Sequence, residues 1–272
     1  MSQLLNRYHI NQAIAIFTFL LKENFKASWF YAYTFFLFLV SLGIFLISGN
    51  AAQSIAGLLN VITLVTSLVS LTMSTVSFFN LRQFMVLVLT QPISRNQVYL
   101  SCYASLIIPL IGSLILGIIS GALFWGAGLY EQLPLVLILL SSSILLTLGL
   151  SALGFLYASF IQDKTKGFAF ALLTWLYLTF IHDGLILLLA IALNDYPVEY
   201  LVLGLVLINP VSCARVFVLL SLNIAALMGI TAYVFKSILS LWLGQLIIVT
   251  VLLIWIIISL LLGSWCFRNK DL

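Results

Sequence analysis

Six runs of mostly apolar residues, each long enough to cross a bilayer as a helix, constrain this chain more than any other feature. They cover 29–48, 55–79, 99–126, 135–160, 168–193 and 243–267. A spanning helix needs about 20 such residues, because each adds about 1.5 Å towards a hydrocarbon core about 30 Å thick. The runs are continuous rather than alternating, so helices and not barrel strands are expected. Of the 272 residues, 64% are hydrophobic and 7% charged, against roughly 25% charged in soluble domains. Too few charges remain to coat a soluble surface, which excludes an ordinary soluble enzyme, a disordered chain and a disulfide scaffold. Ala13–Leu21 is apolar but short, and Lys22-Glu23 and a full span follow it. It does not read as a cleavable signal.

Lys and Arg predict the orientation, since they concentrate on the cytoplasmic side. With six spans, one side receives 1–28, 80–98, 161–167 and 268–272, holding nine of the 11 basic residues. The other side receives Arg215 and Lys236 in loops of similar total length. Both termini are therefore expected in the cytoplasm, and the net charge of +4 reads as a topology signal. Basic clusters interleaved with aromatics are absent, so no nucleic-acid partner is expected.

The loop 194–242 is itself apolar. Val198–Ile208 is too short to span, and Val216–Phe235 reaches 20 residues but is diluted by Asn223, Gly229 and Thr231. One extra span would reverse Arg268 and Lys270, so the region reads as short helices lying on or dipping into the outer leaflet. At the other extreme, residues 1–28 place Ile14, Phe17, Leu21 and Phe25 at helical spacing, with Lys22 and Lys26 one turn apart. This is either an interfacial helix or a simple basic tail.

Between spans two and three, a short apolar helix is expected from about Arg82 to Leu89, ended by Pro92. Ser94 would cap the next helix, with Arg95 in its first turn. Such a segment is a natural contact for a soluble partner or an ordinary interhelical loop. Asp183 falls just past the middle of the fifth span, beside His182. A carboxylate there costs about 2.5–3.5 kcal/mol on insertion scales, so it is expected to face the bundle interior or water. It is either a contact that changes between states or a residue that fixes helix packing. His182 and Asp183 point about 100° apart, which argues against a local catalytic pair. Gly117 and Gly121 form a GxxxG pair, and Gly149 and Gly154 offer small positions in span four, both read as packing sites within the chain. The cysteines (102, 213 and 266), the methionines (73, 85 and 228) and the histidines (9 and 182) lie on different segments. They show no ligand spacing, so no metal site and no disulfide are expected. Nor is there a GxxxxGK[ST] loop to cradle phosphate.

The segment Leu87-Val-Leu-Thr-Gln-Pro-Ile-Ser-Arg95-Asn-Gln-Val-Tyr-Leu100 resembles the LLLxxPISRxxIxxGK signature of ABC-2-type transporter permeases. Lys22-Glu23 is similar to the KE pair that precedes their first span. The closing Gly-Lys of the signature is Ser101-Cys102 here, and Asn80 and Gln83 stand near the family's acidic residue and glycine. Asn209-Pro-Val-Ser-Cys-Ala-Arg215, Ala225–Phe235, the stretch around Asp183 and the ending Phe267–Leu272 resemble the NosY-type branch. Those permeases belong to the transporter that matures nitrous oxide reductase.

The resemblance implies an all-α, ABC-2 (type V exporter-like) permease fold with six transmembrane helices in a bacterial inner membrane. Residues 1–28 would form an elbow segment, 29–272 one transmembrane domain and 80–98 the coupling loop. Two copies of the chain would pair with two copies of an ABC ATPase subunit, which would hold ATP and Mg. This chain would bind no cofactor and would not be an enzyme. By the same resemblance, Arg82, Phe84, Leu87, Leu89, Pro92, Ser94 and Arg95 would meet the ATPase. Asn209, Pro210 and Arg215 would meet a periplasmic copper-handling partner. Export of a lipid, peptide or drug by a related permease is the alternative. An intramembrane enzyme is a third class, which the scarcity of paired deep ionisable groups disfavours.

Overall fold

The computed structural model describes residues 2–47, 51–123, 129–193, 199–222 and 241–269. Among them every regular element is helical: α1 (Ser2–Lys26), α2 (Ser28–Ile47), α3 (Ala51–Val88), α4 (Arg95–Leu123), α5 (Leu129–Phe160), α6 (Lys164–Leu176), α7 (His182–Ala192), α8 (Glu199–Ile208), α9 (Pro210–Leu222) and α10 (Leu241–Asn269). A π-helical turn, Tyr177–Ile181, joins α6 to α7. Among the described residues six helices are long and apolar enough to cross a membrane: Ser28–Ile47, Gln53–Val88, Arg95–Leu123, Leu133–Phe160, Lys164–Ala192 and Trp242–Asn269.

Each expected span has its helix, but several helices outrun the apolar text. The second run ends at residue 79, whereas α3 continues through Asn80 and Arg82 to Val88 without a break. A polar residue ends a hydrophobic run but not a backbone ladder, since the side chain can reach water while the helix goes on. The short helix expected at 82–89 is thus the last two turns of α3. At 38 residues, α3 is about 57 Å long, well beyond a bilayer core of about 30 Å.

Two kinds of seam hold the bundle. Glycines let α4 lie directly on α2: a Cβ on Gly117 would stand 2.6 Å from Leu37 Cβ, and one on Gly121 would stand 2.5 Å from Ser41 Cβ. The GxxxG pair therefore packs within the chain, as its spacing suggests. Gly154 of α5 does the same against Leu71 and Ser74 of α3, whereas Gly149 has only ordinary contact with Ile256. The α3–α5 seam is lined with buried hydroxyls, including Ser67, Ser70, Ser74, Ser143, Thr147 and Ser151. Most satisfy themselves on carbonyls three or four residues back, as Ser70 does on Thr66 O at 2.5 Å and Thr147 on Ser143 O at 2.8 Å. This makes them small and polar-neutral towards the facing helix.

α1 packs along the first half of α4, with Asn24 Nδ2 donating to Ser105 O at 3.1 Å and Ser101 Oγ to Ala13 O at 3.3 Å. Among its described side chains, Ile16 and Leu20 are buried. The stripe read from the sequence runs along the flank, with Ile14 exposed and Phe17, Leu21 and Phe25 half-buried.

One end of the bundle gathers the cations. Arg82 Nη1 donates to Gln162 O at 3.2 Å, Lys164 Nζ to Asn80 Oδ1 at 2.7 Å, and Arg95 Nη1 to Arg268 O at 2.8 Å. Beneath them Phe78, Tyr99, Phe155 and Phe267 meet edge-on or tilted at 5.4–6.2 Å between centroids, joining the ends of α3, α4, α5 and α10. Below, this is the basic end, and the opposite one the far end.

Candidate functional site

The chain between α8 and α9 turns by 116° at Asn209. Ile208-Asn-Pro-Val211 explains why. Asn209 N closes α8 on Val206 O at 3.2 Å, and its Oδ1 accepts the Val211 N–H at 2.9 Å. It is thereby the N-cap of α9, with Pro210 at the first helical position, where a missing N–H costs nothing.

The contacts of these two helices fix their level along the bundle. Asn209 Nδ2 donates to Leu178 O at 2.6 Å, and Leu178 is the midpoint of the Lys164–Ala192 span. Leu207 and Ile208 share a crevice with Trp255 and Ile258, near the middle of Trp242–Asn269. At its other end α9 returns to the far side, where Gln245 Nε2 donates to Ser221 Oγ at 2.9 Å, one turn into α10. The pair therefore doubles back as a hairpin whose turn is level with the middle of the fifth and last candidate spans, the expectation from the sequence being short helices lying on or dipping into the outer leaflet. Non-helical backbone at that depth is tolerated where protein covers it, and Asn209 and Pro210 are both buried. The stretch 223–235 of the possible extra span lies outside the described residues.

The hairpin meets span five through a charge pair. Arg215 Nη1 donates to Asp183 Oδ2, and Ser212 Oγ donates to Asp183 Oδ1 at 2.8 Å. Asn209, Ser212 and Arg215 recur every third residue, so they form one polar stripe on α9. The π turn supplies the opposite surface, because its widened coil includes Leu178, whose carbonyl takes Asn209. Such turns are frequent at functional positions. The Asp183 and Arg215 side chains keep 28% and 25% of their exposure, so the pair sits at the edge of the hairpin contact.

Three further polar atoms are buried here without a hydrogen-bond partner among the described residues: Arg215 Nε, His182 Nδ1 and Thr179 Oγ1. His182 packs edge-on against Tyr177 at 6.1 Å. The hydrogen bonds of Asp183 run to α9 and not to its neighbour, which fits the divergence of adjacent helical positions. Chemically, the cluster can hold a helix–hairpin junction in one arrangement, or release it when the carboxylate finds another partner. Among the described residues, no group of three His, Cys, Asp or Glu could hold a metal ion.

Sequence reasoning picked out Asp183, Asn209, Pro210 and Arg215 as two separate sets, and the structure makes them one site. It missed Ser212, although the three-residue spacing from Asn209 to Arg215 was a visible signal. The residues expected to couple to an ATPase gather elsewhere, at the tip of the basic end. Leu87 is 65% exposed, Pro92 and Ser94 are exposed and Leu89 half-buried in or beside the turn 89–94. Phe84 instead stacks on Phe19 of α1 at 6.0 Å. Arg82 and Arg95 tether the tip to the α5–α6 connection and to the end of α10. The Ser94 carbonyl accepts the N–H groups of Gln97 and Val98, so α4 opens at the expected residue.

No protein-family model matches this chain, and no curated protein matches it. What the fold and site define is a class: a multi-pass α-helical membrane protein with about six candidate spanning helices among the described residues, and a helical hairpin ion-paired to the fifth.

Proposed function

We propose that this chain is the membrane-spanning permease subunit of an ABC transporter. The observation that carries the reading is the continuity of α3. It runs unbroken from the far end to the exposed turn at 89–94 and packs along α5. Ser142 of α5 in turn donates to Ala214 O of the hairpin at 2.7 Å. A displacement applied at the tip thus has a stiff path to mid-bilayer.

In this reading the basic end faces the cytoplasm of a bacterial cell. Two copies of the chain pair with two ATPase subunits, which hold ATP and Mg, and the chain itself performs no chemistry. The hairpin transmits motion outward, and a periplasmic copper-handling protein serving nitrous oxide reductase is its partner. Contact there falls at the far end of the hairpin, since Asn209 and Pro210 are covered by this chain and Arg215 is paired with Asp183 within it. The test is recovery of a bound ATPase with the chain from native membranes. Leu87→Asp should abolish it while the chain still accumulates. Retention of the ATPase by that variant, or activity of the chain purified alone, would overturn the reading.

One observation favours export of an apolar cargo instead. A crevice of about 340 Å³, lined by Leu207, Ile208, Val251, Ile254, Trp255 and Ile258, lies against the hairpin tip and would accept an acyl chain. A lipid that stimulates ATP hydrolysis by the assembled complex, and loses that effect in Ile254→Trp, would establish this second reading.

A further inference from the structure

We propose that the crevice between the first turn of α4 and the last turns of α10 is a binding site for an anionic phospholipid. It encloses about 390 Å³ and is lined by Asn96, Leu261, Leu262, Ser264, Trp265 and Arg268. Its two chemistries are sorted along α10. Leu261, Leu262 and Trp265 are exposed apolar side chains, and Ile254, Ile257 and Ile258 continue that exposed face towards mid-bilayer. At the other extreme stand the Asn96 amide and the Arg268 guanidinium, with Ser264 between. Apolar first and cationic last is the order of a phospholipid, acyl chain towards the bilayer centre and phosphate at the interface. Trp is the side chain that settles at that boundary.

Charge selects the headgroup. The described side chains at the basic end include Lys22, Lys26, Arg82, Arg95, Lys164, Lys166 and Arg268 against Glu23 and Asp163. Asp163 is engaged in capping α6, accepting the Thr165 N–H at 2.8 Å. Arg95 is committed to the Arg268 carbonyl, so it clamps α4 to α10 beside the crevice and adds to the field there. Arg268 remains the cation that lines the crevice itself. A soluble protein would not reach the apolar face of α10. A zwitterionic lipid offers Arg268 the same phosphate but gains less from the basic field around it, because its own cation offsets that charge. The site needs only that the helices span a bilayer, so it stands apart from the transporter reading.

The experiment is native mass spectrometry and thermal unfolding of the intact chain in detergent. Three ligands are compared: phosphatidylglycerol, phosphatidylcholine with identical acyl chains, and inorganic phosphate. Phosphatidylglycerol should bind saturably and raise the midpoint, phosphatidylcholine should do so more weakly, and phosphate should do neither. Arg268→Gln should weaken its binding about fivefold, the effect of one basic residue near a membrane surface. Ser264→Trp, which fills the crevice and leaves Arg268 in place, should remove the preference between the two lipids. Equal binding of both lipids overturns the proposal. So does a shift reproduced by phosphate alone, wild-type behaviour of either variant, or a chain dimer that excludes lipid from the crevice.

Discussion

A carboxylate at mid-bilayer is tolerated when something replaces water around it, and Asp183 has a guanidinium and a hydroxyl doing so from one helix face. Removing one member of a buried pair strands the other, at about 3–5 kcal/mol. The side-chain exposures of 28% and 25% reduce that here. Asp183→Leu and Arg215→Leu should therefore each cost about 1–3 kcal/mol in reversible unfolding in detergent. The double variant should cost less than the sum, because neither charge is left alone. Additive losses would show that the pair is not coupled. Asp183→Asn keeps the Ser212 hydrogen bond within reach and, on the transporter reading proposed above, should preserve assembly while reducing transport-linked activity. Full activity in both the Asn and Leu variants would leave Asp183 a packing residue only.

The sequence marks Asp183 as deep and charged, and it marks Asn209-Pro210 as a helix boundary. It does not show that they meet, since 29 residues separate Asp183 from Ser212 and pairing across that gap is tertiary. Arg215, placed by charge counting in an external loop, lies on α9, where Asp183 gives it a partner.

Among elements, span existence was legible and span ends were not. Apolar runs report where a helix meets lipid, and α3, α4 and α10 extend past that point at the basic end. The glycines are the more consequential local signal. At Gly121 a β-carbon would come within 2.9 Å of Leu42 N as well as 2.5 Å of Ser41, so backbone would have to shift. Gly121→Leu should destabilise the α2–α4 contact by about 1–3 kcal/mol or more, the usual penalty of overpacking. Gly149→Ala, facing Ile256 at 3.7 Å, should be nearly silent. Thermal midpoints of the two purified variants make the comparison, and equal midpoints would contradict the packing described.

For the whole molecule, the hairpin decides the topology, because a re-entrant pair preserves the side of everything after it and a broken span would reverse it. Single cysteines at Tyr200 and Ser221, in a chain whose three native cysteines are replaced, should react with a membrane-impermeant maleimide from the same side. A cysteine at Gln91, in the exposed turn, should react from the other. Labelling of positions 200 and 221 from opposite sides would make α8–α9 a seventh crossing.

The unbroken length of α3 carries a thermodynamic consequence as well as a mechanical one. If one stiff helix links the basic tip to the hairpin, the two places share a single conformational equilibrium. Whatever binds at one must then change affinity at the other by the same factor in both directions. On the transporter reading, a partner held at the far end would thereby be sensed at the basic tip, with nothing crossing the bilayer.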